Sequence, residues 1–209
     1  MSNREGNRAS HKLSWLLRHG ADEAGLAMDA AGWADIAEVL RILRMSRAAL
    51  DLAVLQNEKA RFEVRGQRIR ACQGHSRAGM PVTLDALEAS WSRFEGDAPV
   101  WHGTRIAALA GIAHEGILAG ERTHVHLAET TNSVVGKRAD VDVMLEVLPA
   151  RLAAQGIDIF MSPNGVILTR WVPPPAIVGL RCMTDRARQK SESLRALLGL
   201  SGDAAGAPA

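Results

Sequence analysis

The sequence predicts an α+β protein with two lobes, and three observations support this prediction. Apolar residues recur at helical spacing in the first third of the chain, an alternating pattern around a glycine follows, and short strand-like runs dominate after Pro81. A chain of 209 residues that is 47% hydrophobic can bury one or two cores of ordinary size. We therefore expect a mainly helical N-terminal lobe and a mainly antiparallel, β-rich C-terminal lobe.

Three amphipathic helices are predicted in the N-terminal lobe. They cover residues 11–20, 33–43 and 46–56, where apolar side chains recur every three or four positions. Ser46 is a suitable N-cap for the third helix, because its hydroxyl can accept a hydrogen bond from a free backbone N–H. Residues 1–8 are polar, and we expect them to form a disordered leader.

A β-hairpin is predicted directly after these helices. Segment 61–72, RFEVRGQRIRAC, alternates apolar and polar residues on both sides of a glycine turn. Three helices followed by a hairpin resemble a winged helix, a small fold often used to bind nucleic acid. We expect this lobe to span residues 9–80, with the turn-rich segment SRAGMP as the linker to the next lobe.

The second lobe is predicted at residues 81–185 from five strand-like runs. One helix, from about Arg105 to Glu115, follows the first of them. Residues 186–209 predict a C-terminal helix and a flexible tail. The five runs are VWHG, HVHLA, VDVMLEVL, FMSPNGVILT and AIVGL.

Charge, cysteine positions and the length of apolar runs indicate which classes of protein fit this sequence. The formal net charge is +2, but the first 80 residues hold 13 Lys and Arg against 9 Asp and Glu, an excess that suits contacts with phosphates. Cys72 and Cys182 lie far apart and outside any CxxC pattern, which indicates neither a disulfide framework nor a zinc site. No apolar run approaches the roughly 20 residues of a membrane span, and the polar start is unlike a signal peptide. We expect a soluble, cytoplasmic protein with no membrane partner.

Four places carry chemically capable side chains without an evident packing role. Arginines predict a phosphate site, because the guanidinium group binds phosphate oxygens bidentately and keeps its charge at ordinary pH. Histidine and threonine add hydrogen-bonding groups, and histidine can also transfer protons. The four places are Arg18-His19, Arg61, His102-Gly103-Thr104, and Arg122 followed by His124 and His126.

The two histidines His124 and His126 lie two residues apart, so on a strand both side chains point to the same face. Zinc is one interpretation, but no third ligand stands at a metal-like spacing. A hydrogen-bonded structural pair is the other, and both interpretations stay open here. We expect no metal.

The HGT triplet stands where a predicted strand passes into a helix. Gly103 allows a ligand to approach the backbone, while His102 and Thr104 offer hydrogen bonds on either side. The chain has neither a GxGxxG fingerprint nor a P-loop. Any dinucleotide therefore binds outside a Rossmann fold.

An ordered set of motifs from about residue 9 to 181 resembles the NAD-dependent RNA 2′-phosphotransferase family of the KptA type. That family has an N-terminal winged-helix RNA-binding lobe and a C-terminal NAD-binding lobe similar to ADP-ribosyltransferases, so the resemblance implies the same two lobes here. The sequence departs from the family pattern at Cys72, Ala128 and Ile167. The motifs are LSWLLRHG, GWADIAEVL, NEKARFEV, RIRACQGHS, WHGT, ERTHVHLAET, VGKR, VDVMLEV and NGVILT.

The resemblance also implies roles for the candidate residues. It implies that four catalytic residues hold the RNA 2′-phosphate against NAD, and that a second group binds NAD. The catalytic four are Arg18, His19, Arg61 and Arg122; the NAD-binding group is His102, Gly103 and Thr104, with His124 and His126 on a strand beside them.

The implied reaction removes an internal 2′-phosphate of the kind left at tRNA splice junctions. Its products are 2′-hydroxyl RNA, nicotinamide and ADP-ribose 1″,2″-cyclic phosphate, formed through an ADP-ribosylated RNA phosphate. The implied partners are 2′-phosphorylated RNA and NAD as co-substrate, and we expect a monomer. Two alternatives remain: an ADP-ribosyltransferase acting on terminal phosphates of RNA or DNA, and a winged-helix regulator whose second lobe senses NAD.

Overall fold

The computed structural model describes residues 3–133, 135–136 and 140–200 of the chain, and the side chains from residue 8 onward within those ranges. Lys137 and Arg138 of the VGKR motif, together with the predicted tail from residue 201, lie outside the described residues. Within them the chain mixes helices and strands, so the predicted α+β class is confirmed.

The helices are short except for the first, and two 3₁₀ turns, Ile106–Ala108 and Pro174–Ala176, accompany them. The helices are α1 (Asn3–Arg18), α2 (Ala21–Ala24), α3 (Ile36–Leu43), α4 (Arg47–Leu55), α5 (Leu84–Ala89), α6 (Leu109–Glu115), α7 (Pro149–Ala153), α8 (Asp185–Gln189) and α9 (Ser191–Leu197).

The strands are also short, and all the pairings given below are antiparallel. They are β1 (Ala34–Asp35), β2 (Phe62–Arg65), β3 (Arg68–Ala71), β4 (Ser92–Arg93), β5 (Val100–Thr104), β6 (Ile117–Leu118), β7 (Val125–Leu127), β8 (Val143–Val147), β9 (Ile159–Met161), β10 (Ile167–Thr169), β11 (Trp171–Val172) and β12 (Ile177–Cys182).

The chain divides into two compact units. The first comprises Met1–Phe94, Ala119–His124 and Phe160–Leu168, and the second comprises the remaining segments. The first unit extends beyond the boundary we predicted at residue 80. Beyond that boundary lie Val82, which packs partly buried against the core that contains Met80, and helix α5, which was not predicted from the sequence.

The core of the first unit forms around α1, whose Leu13, Leu16 and Leu17 are fully buried. Burying a leucine side chain stabilises a fold by about 1.5–3 kcal/mol, so these three residues fix the helix firmly. Leu50 of α4 and Ile69 of β3 belong to the same cluster. The end of α1 is therefore held in place by its own apolar face.

The helices and the hairpin of the first unit follow the predicted order. Helix α4 begins after Ser46, whose side chain accepts from the backbone N–H of Ala49, as predicted. Strands β2 and β3 form the predicted hairpin, and β1 adds to the free edge of β3. Helix α1 begins at Asn3 instead of near His11, so residues 3–8, which we assigned to a disordered leader, are helical.

The second unit contains a three-stranded sheet in the order β12-β8-β5, with all neighbours antiparallel. A two-stranded pair, β11 with β6, lies in the same unit. These strands confirm the predicted antiparallel, β-rich character. The expected C-terminal helix is present as two short helices, α8 and α9.

Among the described residues, no helix is both long enough and apolar enough to span a membrane.

Candidate active site

The pair Arg18-His19 stands where α1 ends. The backbone N–H groups of His19 and Gly20 both donate to the carbonyl oxygen of Trp15, at 2.8 and 3.1 Å, and so close the last helical turn. Because the buried leucines fix the helix, the Cα atoms of Arg18 and His19 are held in defined positions at its end. His19 is exposed and Arg18 is half-buried.

Arg18 is half-buried as a residue, but two of its guanidinium nitrogens are buried. Its Nε and Nη2 atoms are buried and have no hydrogen-bond partner in the described part of the chain. Burial is the main cause that lowers the pKa of Arg18 to about 10, and the nearby positive charges of Arg61 and Arg122 contribute to the same shift. A buried cation without a partner is costly, so this arrangement is suited to receiving an anion.

Arg61 is held through its backbone and its side chain. Its backbone N–H and its Nη1 donate to Oδ1 of Asn57, at 3.2 and 3.4 Å. Nδ2 of Asn57 in turn donates to Oγ of Ser10 on α1, at 2.8 Å. The carbonyl oxygen of Arg61 accepts from the backbone N–H of Cys72 at 2.8 Å. These bonds fix Arg61 beside α1 without using the whole guanidinium group.

The loop after the hairpin links the end of α1 to Arg122. The backbone N–H of Ser76 donates to the carbonyl oxygen of Arg18 at 2.8 Å, and Ser76 forms an isolated antiparallel bridge with Arg122. The backbone N–H of Thr123 donates to the carbonyl oxygen of His75 at 3.0 Å. The Nε atom of Arg77 donates to the carbonyl oxygen of Arg122, also at 3.0 Å. The segment that we predicted as a linker is thus part of the site.

The pKa of His19 is lowered from the usual histidine value, which favours the neutral imidazole at neutral pH. Burial lowers its pKa from the usual value, and the charges of Arg18 and Arg122 lower it further. Its Nδ1 lies 2.8 Å from Oγ of Ser76. A neutral, oriented imidazole beside arginines can take up or release a proton during a reaction.

Two buried residues near this cluster were missed by the sequence analysis. His75 is fully buried, neither ring nitrogen has a hydrogen-bond partner among the described residues, and burial with nearby positive charges lowers its pKa to about 3. Arg70 is also fully buried, but it is paired with Glu63 at 2.7 Å and bonded to Oγ of Ser90 at 2.7 Å. Both residues lie in the segment RACQGHS. Their spacing there forms no recognisable motif, so the sequence did not distinguish them from ordinary strand and loop residues.

The two histidines of the HVH motif belong to different units. His124 lies in the first unit, fully buried, with Nε2 3.0 Å from a carboxylate oxygen of Glu88 and an edge contact to Trp91 at 4.9 Å between ring centres. These contacts favour the structural interpretation of His124. Among the described residues there is no group of three His, Cys, Asp or Glu side chains that could hold a metal ion.

The HGT triplet lies on β5 in the second unit. Nδ1 of His102 lies 3.0 Å from the carbonyl oxygen of His126, and Gly103 and Thr104 are buried. The carbonyl oxygen of Thr104 accepts from the backbone N–H of Asp142 at 2.9 Å, which holds the end of the strand. The second unit therefore brings together His102, Gly103, Thr104 and His126, four of the five predicted NAD-binding residues.

The first unit brings together the four residues that the sequence analysis singled out as catalytic. Their charges influence one another: Arg61 and Arg122 act on Arg18, and Arg18 and Arg122 act on His19. Three guanidinium groups with a neutral imidazole can bind a phosphate group and assist a proton transfer.

Comparison with known proteins identifies a family and close relatives. Residues 4–171 match the model of the family described as RNA 2′-phosphotransferase, Tpt1 / KptA family. A probable RNA 2′-phosphotransferase of Burkholderia lata is 39% identical over 178 residues, which cover 81% of this chain and 88% of that protein. One from Pseudomonas syringae pv. tomato is 35% identical over 184 residues, or 83% and 94% of the two chains. One from Escherichia coli strain SE11 is 37% identical over 169 residues, or 77% and 88%.

Proposed function

We propose that this chain, which belongs to the RNA 2′-phosphotransferase (Tpt1/KptA) family, removes an internal 2′-phosphate from RNA by transferring it to NAD. The products would be 2′-hydroxyl RNA, nicotinamide and ADP-ribose 1″,2″-cyclic phosphate. A phosphate left at a tRNA splice junction is the expected substrate type.

One observation carries this proposal. Arg18 has two buried guanidinium nitrogens without a partner in the described residues, and two further arginines lie close enough to lower its pKa. Like charges repel, so this cluster is stable only at a cost that a bound anion would offset. A phosphate monoester, mostly dianionic at neutral pH, provides that charge and the oxygens for bidentate hydrogen bonds.

In the first step, the RNA phosphate acts as the nucleophile. NAD supplies an electrophilic anomeric carbon whose nicotinamide group leaves as a neutral molecule. No general base is needed, because the phosphate dianion is already deprotonated at neutral pH. Arg18, Arg61 and Arg122 hold the phosphate at the position of attack.

The arginines have opposing effects on this step. They bring two anionic substrates together, but they also reduce the nucleophilicity of the phosphate. Correct positioning can lower a barrier by about 7–11 kcal/mol, more than the few kcal/mol that charge pairing removes. Positioning therefore decides the net effect.

In the second step, the neighbouring ribose hydroxyl attacks the phosphorus and the RNA 2′-oxygen leaves. A proton has to leave the attacking hydroxyl, and another has to reach the departing oxygen. His19 is suited to this transfer, because its lowered pKa keeps the ring neutral and Ser76 orients it.

We assign NAD binding to the second unit and RNA binding to the first. His102, Gly103 and Thr104 on β5 would contact the dinucleotide, with His126 beside them. In this proposal the first unit is a winged helix, supported by its run of four helices, α1 to α4, before the hairpin of β2 and β3. The second unit is similar to ADP-ribosyltransferases, supported by its antiparallel sheet. Cytoplasmic location and a monomeric state stay predictions from the sequence.

The proposal is tested with a 5′-labelled oligoribonucleotide that carries one internal 2′-phosphate. Conversion to 2′-hydroxyl RNA should require NAD and release one nicotinamide per RNA. Arg18→Ala, His19→Ala, Arg61→Ala and Arg122→Ala should each lower the rate at least tens-fold, since losing a charge contact made in the transition state costs about 2–5 kcal/mol. Arg41→Ala, which removes an exposed arginine paired with Glu38, is the matched control.

The alternatives predict different products. An ADP-ribosyltransferase would leave a stable ADP-ribosyl adduct on RNA or DNA ends, and a regulator would bind NAD without releasing nicotinamide. Loss of the 2′-phosphate without NAD would refute the proposed co-substrate.

A further inference from the structure

Helix α1 carries an exposed stripe that ends at the catalytic pair. We define the α1 stripe as Arg8, Lys12, Trp15 and His19, which are spaced by four, three and four residues and are all exposed. Residues at this spacing share one face of a helix. The buried residues Ala9, Leu13, Leu16 and Leu17 lie on a different face, so the α1 stripe is not needed for the core.

Trp15 is the large aromatic side chain of this stripe, and it is 43% exposed. Its indole ring lies against Gly20: a Cβ atom added there would collide with the Cη2 and Cζ2 atoms of the ring. The glycine has an ordinary φ of −124°, so the backbone alone would accept alanine. Gly20 therefore leaves room for the indole ring, which stays accessible to solvent.

The charge of the α1 stripe is positive. Neither Arg8 nor Lys12 forms an ion pair with any side chain that the structure describes, and α1 contains a single acidic residue, Glu5, in its first turns. From Arg8 to Arg18 the helix rises about 15 Å, at 1.5 Å per residue, and His19 follows directly. This length accommodates a few nucleotides of a single strand.

We propose that the α1 stripe binds the RNA strand next to the 2′-phosphate, with one base stacked on Trp15 and backbone phosphates on Arg8 and Lys12. The inference rests on the proposed function, because the phosphate to be removed would reach His19 at the end of the α1 stripe. Exposed aromatic rings with nearby cations are the usual means of binding single strands without strict sequence preference.

This proposal specifies the kind of RNA. Bases within a duplex are stacked on each other and are not accessible to a protein side chain, whereas bases in loops and single strands are. The α1 stripe therefore selects RNA that is unpaired at the nucleotide next to the 2′-phosphate. A fully paired oligonucleotide with the same 2′-phosphate should be bound more weakly.

Substitution of Trp15 gives the direct test. Trp15→Ala should weaken binding of a 2′-phosphorylated oligoribonucleotide about tenfold, the effect expected for one lost stacking contact, whereas Trp15→Phe should retain most of the affinity. The KM for RNA should rise in the same proportion, with a smaller change in kcat. Leu55→Ala removes a side chain that is 84% exposed in the same unit and serves as the control.

A double-mutant cycle with Gly20 shows whether the effect passes through the indole ring. Gly20→Ala should displace Trp15 and weaken RNA binding, but in the Trp15→Ala protein it should have no further effect. If Gly20→Ala weakens RNA binding equally in the wild-type and the Trp15→Ala proteins, the substitution acts through His19 and not through the indole ring. That result, together with unchanged binding by Trp15→Ala, would overturn the stacking proposal.

The phosphate contacts are tested through salt dependence. Removing both cations in Arg8→Ala/Lys12→Ala should reduce the slope of log affinity against log salt concentration by about 1.4, since each single-strand phosphate contact contributes about 0.7. Arg186→Ala/Lys190→Ala removes the same charges from exposed positions of the second unit. Equal slopes for the two double variants would refute the assignment of Arg8 and Lys12.

Binding and turnover together separate this proposal from the proposed function. If the protein binds RNA through Trp15 but never removes the 2′-phosphate, the α1 stripe is supported and the proposed reaction fails. If it removes the phosphate and all the α1 variants bind like wild type, the reaction stands and the α1 stripe is refuted.

Discussion

Nδ1 of His19 lies 2.8 Å from Oγ of Ser76, although the two residues are 57 positions apart in the sequence. The backbone N–H of Ser76 also donates to the carbonyl oxygen of Arg18 at 2.8 Å. One residue of the loop after the hairpin thus orients both members of the Arg18-His19 pair.

Ser76→Ala should lower kcat about ten- to hundredfold, because a small displacement of His19 disturbs the second step. Ser76→Thr keeps a hydroxyl and should recover most of the activity. The measurement is single-turnover release of 2′-hydroxyl RNA, with a thermal melt to establish that the fold is retained. Wild-type kcat in Ser76→Ala would show that the bond to His19 does not position it for catalysis.

Arg18→Met should stabilise the protein while abolishing its activity. Each unit by which a pKa is lowered corresponds to about 1.4 kcal/mol, so keeping Arg18 charged at neutral pH costs the folded state on the order of 3 kcal/mol. Arg70→Met is the matched comparison, because Arg70 is also buried but is paired with Glu63. Glu63 would keep its ion pair with Arg65, so loss of the Arg70 bonds should destabilise the protein by about 1–3 kcal/mol.

Urea unfolding of both variants checks this prediction. If Arg18→Met and Arg70→Met lower the free energy of unfolding equally, the buried charge of Arg18 already has a partner of comparable strength, and the anion site is in doubt.

His75 should make the protein less stable at acidic pH. Its pKa is about 3 in the folded state against 6.5 for an ordinary histidine, so between these values the unfolded chain binds more protons. The free energy of unfolding therefore falls as the pH is lowered from 6.5, by about 1.4 kcal/mol per unit from this residue, and is unaffected by it above 6.5. His75→Gln should remove that part of the slope.

The measurement is the free energy of unfolding at pH 7 and pH 4.5 for wild type and His75→Gln. Between these values the variant should lose about 2–3 kcal/mol less than wild type. Parallel pH profiles for the two proteins would show that His75 is hydrogen-bonded or hydrated in solution.

His102 and His124 should respond differently to substitution, although the sequence analysis placed both at the NAD site. His102→Ala should raise the KM for NAD about tenfold with little change in the melt. His124→Phe removes the contact with Glu88 and should lower the free energy of unfolding by about 1–3 kcal/mol. The opposite result, a stable His124→Phe protein with a high KM for NAD, would show that His124 contributes to NAD binding.

The sequence allowed prediction of the elements that depend on local pattern. The cap at Ser46, the hairpin around Gly66 and strand β5 with its HGT triplet follow from spacing and turn residues. Helix α1 was predicted too short, because residues 3–8 contain no apolar side chain and so no apolar repeat that would indicate a helix.

The parts that could not be predicted depend on contacts between distant residues. Segment 76–81 has the composition of a linker, yet Ser76 bonds to Arg18 and Met80 is buried in the core. The neutral, buried state of His75 also results from its surroundings in the fold. Cys72, one departure from the family pattern, is a buried thiol whose pKa burial raises to about 11.

The fate of a labelled 2′-phosphate tests the central claim most directly. An oligoribonucleotide with ³²P only in its internal 2′-phosphate is incubated with the protein, with and without NAD, and the labelled products are identified by mass. We predict that the label leaves the RNA only with NAD and is found in ADP-ribose 1″,2″-cyclic phosphate. Label recovered as inorganic phosphate, or released equally without NAD, would contradict transfer to NAD by this site.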